Sequence, residues 1–234
     1  MHRSFEDDLD KLRTRLIRMG SLVEEQVELA FRALLEGNEE LAKFIIGRDD
    51  KVDKLDIKID KQCQRIFALQ QPVASDLRLL LAAIKINNEL ERIGDMATEI
   101  AESVVADPNI HVLVKDLSID KMTNAAYTMV KASLDAFVNN DPDLAKHVLP
   151  TDSTVDNLER EHVQDIITLM KSDADIIDTG IKLILILGNI ERLADHATNI
   201  AENVIFLIEA KLVRHRHLEN DPFNPLSLDL GMED

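Results

Sequence analysis

Cysteine is nearly absent from this 234-residue sequence. Cys63 stands alone, which excludes an internal disulfide and a cysteine-built zinc site. A lone thiol suits a reducing compartment. Aromatic residues are 3% of the chain, with no Trp and one Tyr, and there are only seven Gly and six Pro. A β-sandwich or barrel needs more aromatic and turn residues than that. Positive charge is also scarce: 27 Lys and Arg face 44 Asp and Glu, a net charge of −17. That argues against nucleic acid and anionic membrane surfaces as partners, because both are held through Lys and Arg. Cations and basic protein patches suit such a surface, although the same charge also serves solubility. The longest apolar run, Leu183 to Leu187, is far below the ~20 residues of a membrane span. Met1 to Ser21 alternates acid, base and apolar residues and has no signal-peptide core. The expectation is a soluble, cytoplasmic protein with no membrane insertion.

What the chain does have is apolar residues at helical spacing almost throughout. Phe5, Leu9, Leu12, Leu16, Met19 and Val23 open a stripe that runs to Leu34, with Ser4 as N-cap. Gly37 ends this helix and Asn38 caps a second, expected to run to Leu69 before Pro72. A third spans about Ser75 to Ala106. The pattern weakens over residues 108–116, read as a linker. A fourth helix is expected from Ile119 to Val138, and Asp141-Pro142 starts a short one that Pro150 interrupts. A fifth runs from Ser153 to Met170 and the last from Asp175 to Arg214. Residues 215–234, polar and holding two Pro, read as a disordered tail.

The sequence repeats itself. Asn88-Glu-Leu-Glu-Arg-Ile-Gly-Asp-Met-Ala-Thr-Glu-Ile-Ala-Glu102 returns as Gly188-Asn-Ile-Glu-Arg-Leu-Ala-Asp-His-Ala-Thr-Asn-Ile-Ala-Glu202. Val52-Asp-Lys-Leu55 returns as Val155-Asp-Asn-Leu158. The pattern predicts an all-α protein of two tandem, similar three-helix bundles with six main helices: residues 1–107, then the linker, then residues 117–214. Helices of about 32 residues are roughly 48 Å long, so the molecule should be elongated.

At 100° per residue, Glu91, Asp95, Glu99 and Glu102 share one arc, opposite Ile86, Leu90, Ile93, Ala97, Ile100 and Val104. Asp49, Asp53, Asp56 and Asp60 form a similar outer stripe. The second half repeats it with Asp152, Asp156 and Glu159, and with Glu191, Asp195 and Glu202. Like charges four apart repel by a few tenths of a kcal/mol, so ~0.3 kcal/mol for each of Asp49/Asp53, Glu91/Asp95, Asp152/Asp156 and Glu191/Asp195. Antiparallel partners lie equidistant from their turn. Asp49 with Asp95, and Asp53 with Glu91, both centre on position 72. Asp152 with Asp195, and Asp156 with Glu191, centre between 173 and 174. Each half then gathers four carboxylates across two helices. Such oxygen-only sets suit Mg²⁺, Ca²⁺, Mn²⁺ or iron. The alternative is a solvated acidic face.

Arg92 and Arg192 are expected to make structural ion pairs, His196 a polar contact and Cys63 a buried thiol. Glu159-Arg-Glu-His162 matches one copy of the Glu-x-x-His element of di-iron bundles, which need two. No catalytic constellation emerges, so no catalytic or cofactor-binding residue is assigned and an enzyme is not expected.

Gln70-Gln-Pro-Val-Ala-Ser-Asp-Leu-Arg78, Glu91-Arg-Ile-Gly-Asp95 and Glu191-Arg-Leu-Ala-Asp-His-Ala-Thr-Asn-Ile-Ala-Glu202 together resemble the PhoU family, from about Phe5 to His215. That resemblance implies two three-helix bundles with metal ions (iron, zinc, nickel, magnesium or manganese) on paired Glu/Asp-x-x-x-Asp motifs. Carried over, the ligands are Asp49, Asp53, Glu91 and Asp95, then Asp152, Asp156, Glu191 and Asp195. It further implies a negative regulator of the phosphate regulon and of high-affinity phosphate transport. Its partners would be the phosphate sensor histidine kinase, the ATPase of the phosphate ABC transporter and a second copy of itself. Met96 and Glu99 stand where the second motif has His196 and Asn199, so the two sites can differ. The rival reading is a carboxylate-bridged bundle with storage or oxidase activity.

Overall fold

Apolar stripes at helical spacing bury themselves only against other helices, and the chain forms nine α-helices and two 3₁₀ turns among the described residues. The computed structural model describes residues 2–70, 72–107, 109–211 and 213. The expected tail and the Pro108 start of the expected linker lie outside them. The helices are α1 (His2–Glu36), α2 (Glu39–Ile46), α3 (Asp50–Leu69), α4 (Ala74–Ala106), α5 (Ile110–Asp116), α6 (Asp120–Asn139), α7 (Pro142–Val148), α8 (Asp152–Ser172) and α9 (Ile177–Glu209). No strand occurs among the described residues.

The caps follow local chemistry. Gly37 stops α1 with φ +68°, and a Cβ there would lie 2.5 Å from His111 Nδ1, so both backbone and space demand glycine. Asn38 Oδ1 accepts the Leu41 N–H at 3.0 Å to start α2. Asp141 accepts the Asp143 and Leu144 N–H groups ahead of α7, with Pro142 at the first helical position.

One expectation is corrected. The helix expected over 38–69 is broken at Gly47–Asp49 into α2 and α3. The second half carries the same break as α7, a 3₁₀ turn and α8. There Pro150 announces it; in the first half the apolar period continues across the break and hides it. Within the stretch read as a linker, residues 110–116 form α5, with Ile110 and Val114 fully buried. Shifting the first half by 103 residues lays α5 and α6 along α1. The second half thus splits the long first helix, at Ser118 with φ +54°.

The core is one continuous apolar cluster through both halves. Ile86, Leu90, Ile93, Ala97, Ile100 and Val104 are all fully buried, as the arc on α4 required. Around α4 pack α1, α2 and α3; around α9 pack α6, α7 and α8; and α4 packs on α9. These two run antiparallel. Lys85 Nζ lies 5.4 Å over the Phe206 ring, His196 Nδ1 pairs with Glu89 Oε2 at 2.6 Å, and Lys182 Nζ reaches Asp107 Oδ2 at 3.1 Å.

One core position is anomalous. His162 takes the place that Ile59 holds in the first half, is 7% exposed, and neither ring nitrogen has a hydrogen-bond partner among the described residues. Burial pushes its pKa below that of an ordinary histidine. The folded state then demands the neutral ring, and stability is lost as pH falls through the unfolded-state value near 6.5. His162→Ile is expected to raise the melting temperature by about 3 °C at pH 8. The gain should be larger at pH 5.5, as read by thermal unfolding at both pH values.

Candidate metal centre

In both halves the first acid stands where a helix begins. Asp49 is the N-cap residue of α3 and Asp152 the first residue of α8. A helix N-terminus favours a carboxylate there. Asp49 makes no capping hydrogen bond, which leaves its oxygens for other partners. Thr98 Oγ1 donates to Asp49 Oδ1 at 3.0 Å. Gln26 Nε2 donates to Thr98 Oγ1 at 2.7 Å and to Gly94 O at 3.3 Å, with a longer reach of 3.4 Å to Asp49 Oδ1. Gln26 and Thr98 are themselves buried. The second half repeats one piece of this: Thr198 Oγ1 donates to Asp152 Oδ1 at 3.3 Å.

Asp49, Asp53 and Asp95 each offer an oxygen, all within 4.8 Å of one another, and this trio could hold a metal ion. It is the only such trio of His, Cys, Asp or Glu among the described residues. Glu91, placed in this set by the sequence, stays outside the trio but close to it. Burial raises its pKa first, and Asp95, Asp56 and Asp53 raise it further while Arg92 opposes. The pKa values of Asp53 and Asp95 are raised as well, by burial and then by neighbouring carboxylates, Asp49 foremost among them. Asp53, Glu91 and Asp95 resist ionisation first through burial and then through neighbouring carboxylates, and a cation would relieve the second of these, so the donor set fits a hard oxygen-seeking ion.

The other four residues also meet across α8 and α9, though no three of them close as tightly. Asp152 is raised by burial, then by Asp195 and Asp156. Asp195 is raised by burial and then Asp156. Glu191 is the extreme: burial, Asp195, Glu159, Asp156 and Asp152 push it up to about 7.

Arg92 pairs with Glu91 at 3.4 Å and Asp95 at 3.6 Å, as expected. Arg192 makes no ion pair among the described residues; Arg160 takes the corresponding part in the second half, 3.6 Å from Asp156. His196 is a polar contact to Glu89, which Asn199 Nδ2 shares at 3.2 Å. Cys63 is fully buried, and burial pushes its thiol up to about 12, which leaves it inert. Sequence reasoning missed Gln26 and Asn87. Asn87 Nδ2 donates to Asp56 Oδ1 at 2.6 Å and to Asp60 Oδ1 at 3.3 Å, so it ties down the rest of the α3 stripe. The threonines did carry a signal: each lies three residues beyond its motif aspartate in both copies of the repeat.

Fold and site together define a class: a tandem-repeat, all-helical protein with paired carboxylate clusters on the outer faces of its bundles. The PhoU domain matches residues 16–104 and 119–204, one match per half, and the chain belongs to the PhoU family. A phosphate-specific transport system accessory protein PhoU homolog of Pseudomonas putida is 37% identical over 223 residues, 93% of this chain and 85% of that protein. Its namesake in Aquifex aeolicus is 36% identical over 212 residues, 91% of this chain and 96% of that one. The crystal structure of PhoU from Pseudomonas aeruginosa superposes with a TM-score of 0.83 at 35% identity, covering 88% of this chain and 100% of the other. The phosphate transport system regulatory protein PhoU from Streptococcus pneumoniae gives 0.77 at 29%, covering 89% and 99%.

Two outcomes are expected. Removing the Thr98 hydroxyl with Thr98→Val frees Asp49 and should weaken Mn²⁺ binding at the trio about tenfold, whereas Asp95→Asn should abolish it, both by titration calorimetry. Glu191 yields a pH signature. Between the ordinary glutamate value and about 7, the folded state keeps a proton that the unfolded chain has lost. Stability of the metal-free protein therefore falls as pH rises through that window. Because the group is partly exposed, the effect is modest: Glu191→Gln should melt about 2 °C higher at pH 8 and match the parent near pH 4.5.

Proposed function

We propose that this chain is a cytoplasmic, non-enzymatic regulator that couples phosphate transport to phosphate signalling. It would lower transporter activity and repress the phosphate regulon when phosphate is plentiful. As an adaptor it contacts a phosphate sensor histidine kinase and the ATPase subunit of a phosphate ABC transporter, and it acts as a homodimer. The observation that carries this reading is end-to-end similarity, through both repeats, to proteins named phosphate-specific transport system accessory proteins. No described helix is long and apolar enough to cross a membrane, in keeping with a partner that reaches the transporter from outside the bilayer.

In this proposal Asp49, Asp53, Glu91 and Asp95 hold metal in the first half, and Asp152, Asp156, Glu191 and Asp195 hold it in the second. Iron, manganese, magnesium and zinc are the candidates, and the all-oxygen donor set favours the first three. A cation there supplies positive charge between two helices that otherwise repel. The carboxylates lie on outer faces, away from the apolar core, which supports an adaptor over a storage or oxidase bundle with ligands at its centre. An adaptor shifts its kinase only by binding one kinase state more tightly than the other.

The test is alkaline phosphatase activity in the native host with phosphate in excess. Deleting the gene should raise it, and the intact gene should return it to baseline. An Asp53/Glu91/Asp95 triple alanine variant that fails to do so ties the acidic cluster to regulation. Activity that stays low without the gene, in a host with no second copy, sinks the proposal.

A further inference from the structure

A protein of net charge −17 concentrates cations in one place. A cavity of about 520 Å³ lies between the first turns of α1 and the middle of α3, lined by Lys11, Arg15, Lys58, Lys61 and Arg65, with Asp8 the one carboxylate and Gln62 and Ile66 completing it. Lys11 and Arg15 sit one turn apart on α1. Lys58, Lys61 and Arg65 form a facing row on α3 that rises about 10 Å. Among the described residues, Lys11 alone of the five has a carboxylate within ion-pair distance, Asp8 at the 4.0 Å limit. Arg15 is held in place: its Nη1 donates to Gln62 Oε1, and Gln62 Nε2 donates to the Asp8 carbonyl at 2.7 Å. Asp7 and Asp10 line the neighbouring hollow on the far side of Lys11 and Arg15.

The fold does not demand this charge. A shift of 103 residues carries Lys58, Lys61, Gln62 and Arg65 onto Glu161, Gln164, Asp165 and Thr168 of α8. The second half also turns the matching part of its first helix aside as α5. One repeat has a cationic cleft and the other an acidic surface at the same place.

We propose that this cleft binds a soluble oligophosphate, a chain of phosphoryl groups running between the two cationic rows. Two guanidiniums suit phosphoryl oxygens, and the lysines add point charges. No aromatic side chain lines the cavity to stack a nucleobase, which disfavours nucleotides. Its single apolar lining residue, Ile66, is buried, so a protein partner finds no hydrophobic anchor. An extended acidic peptide places same-side carboxylates about 7 Å apart, too sparse for five cations within this span. The site is separate from the carboxylate clusters and does not depend on the regulatory reading.

The experiment is titration calorimetry of the full-length, metal-stripped protein with tripolyphosphate at 0.15 M salt, a concentration at which diffuse surface attraction is screened beyond ~8 Å. Saturable one-to-one binding is expected, weakened at least tenfold by Lys58→Glu/Lys61→Glu/Arg65→Glu. Lys171→Glu, the same kind of charge change elsewhere on the surface, should leave it unchanged, and so should Asp53→Asn/Asp95→Asn. If the triple variant is misfolded by circular dichroism, Lys61→Gln and Arg65→Gln singly should each weaken binding several-fold. Four results would overturn the proposal: no saturable binding, an equal loss in Lys171→Glu, equal affinity for tetraglutamate, or binding only to vesicles of anionic lipid.

Discussion

The repulsion between carboxylates that the helix packing forces together is the constraint on which the rest of this structure turns. Asp49, Asp53 and Asp95 bring oxygens within 4.8 Å of one another. Two full charges 4 Å apart cost about 1 kcal/mol in water and about 4 at the effective dielectric typical near a protein surface. A domain's whole stability is only about 5–15 kcal/mol. The arrangement therefore survives because something stronger fixes the helices. That is the apolar seam beneath, where Val52, Leu55, Ile93 and Ala97 are buried directly behind the acids.

The raised pKa values are the record of that compromise. Burial is the largest cause at Asp53, Glu91, Asp95, Asp152, Glu191 and Asp195, and the other acids follow. A proton and a bound cation would be alternative answers to the same crowding. The trio gathers three oxygens, with Thr98 and Gln26 orienting Asp49, and could hold a cation. The second cluster holds its proton more tightly, since Glu191 is pushed up to about 7.

Much of this was legible beforehand because helical periodicity and turn position are local properties. The burial of Ile86 through Val104 followed from a 100° step, and the facing of Asp49 with Asp95 followed from equal distances to the turn. The break at Gly47 was not legible from periodicity, because the apolar residues Ile45, Val52 and Leu55 keep step across it. The repeat held the clue, since Pro150 breaks the same place in the second half. Gln26 was invisible for another reason. A single polar residue among apolar neighbours on a long helix says nothing of its partner, and its partners lie on α4, 68 and 72 residues away. His162 was readable as a motif but not as a core residue, because only the alignment of the halves places it on Ile59.

The duplication also explains why function can be divided. Each half needs its apolar seam to fold, so the buried positions of α4 and α9 correspond closely. The outer positions are free to diverge, and they have. The first half keeps a tight carboxylate trio at the start of α3 and a cationic cleft against its middle. The second spends its matching histidine and asparagine on Glu89, locking the repeats together. That lock gives the two halves a shared mechanical element. Because α4 packs on α3 along one side and on α9 along another, a cation that drew Asp95 toward Asp49 would act on the helix that also carries Glu89. Any shift of α4 in response would have to be accommodated at the half-buried Glu89–His196 contact, and packed helices repack in discrete steps rather than deform gradually.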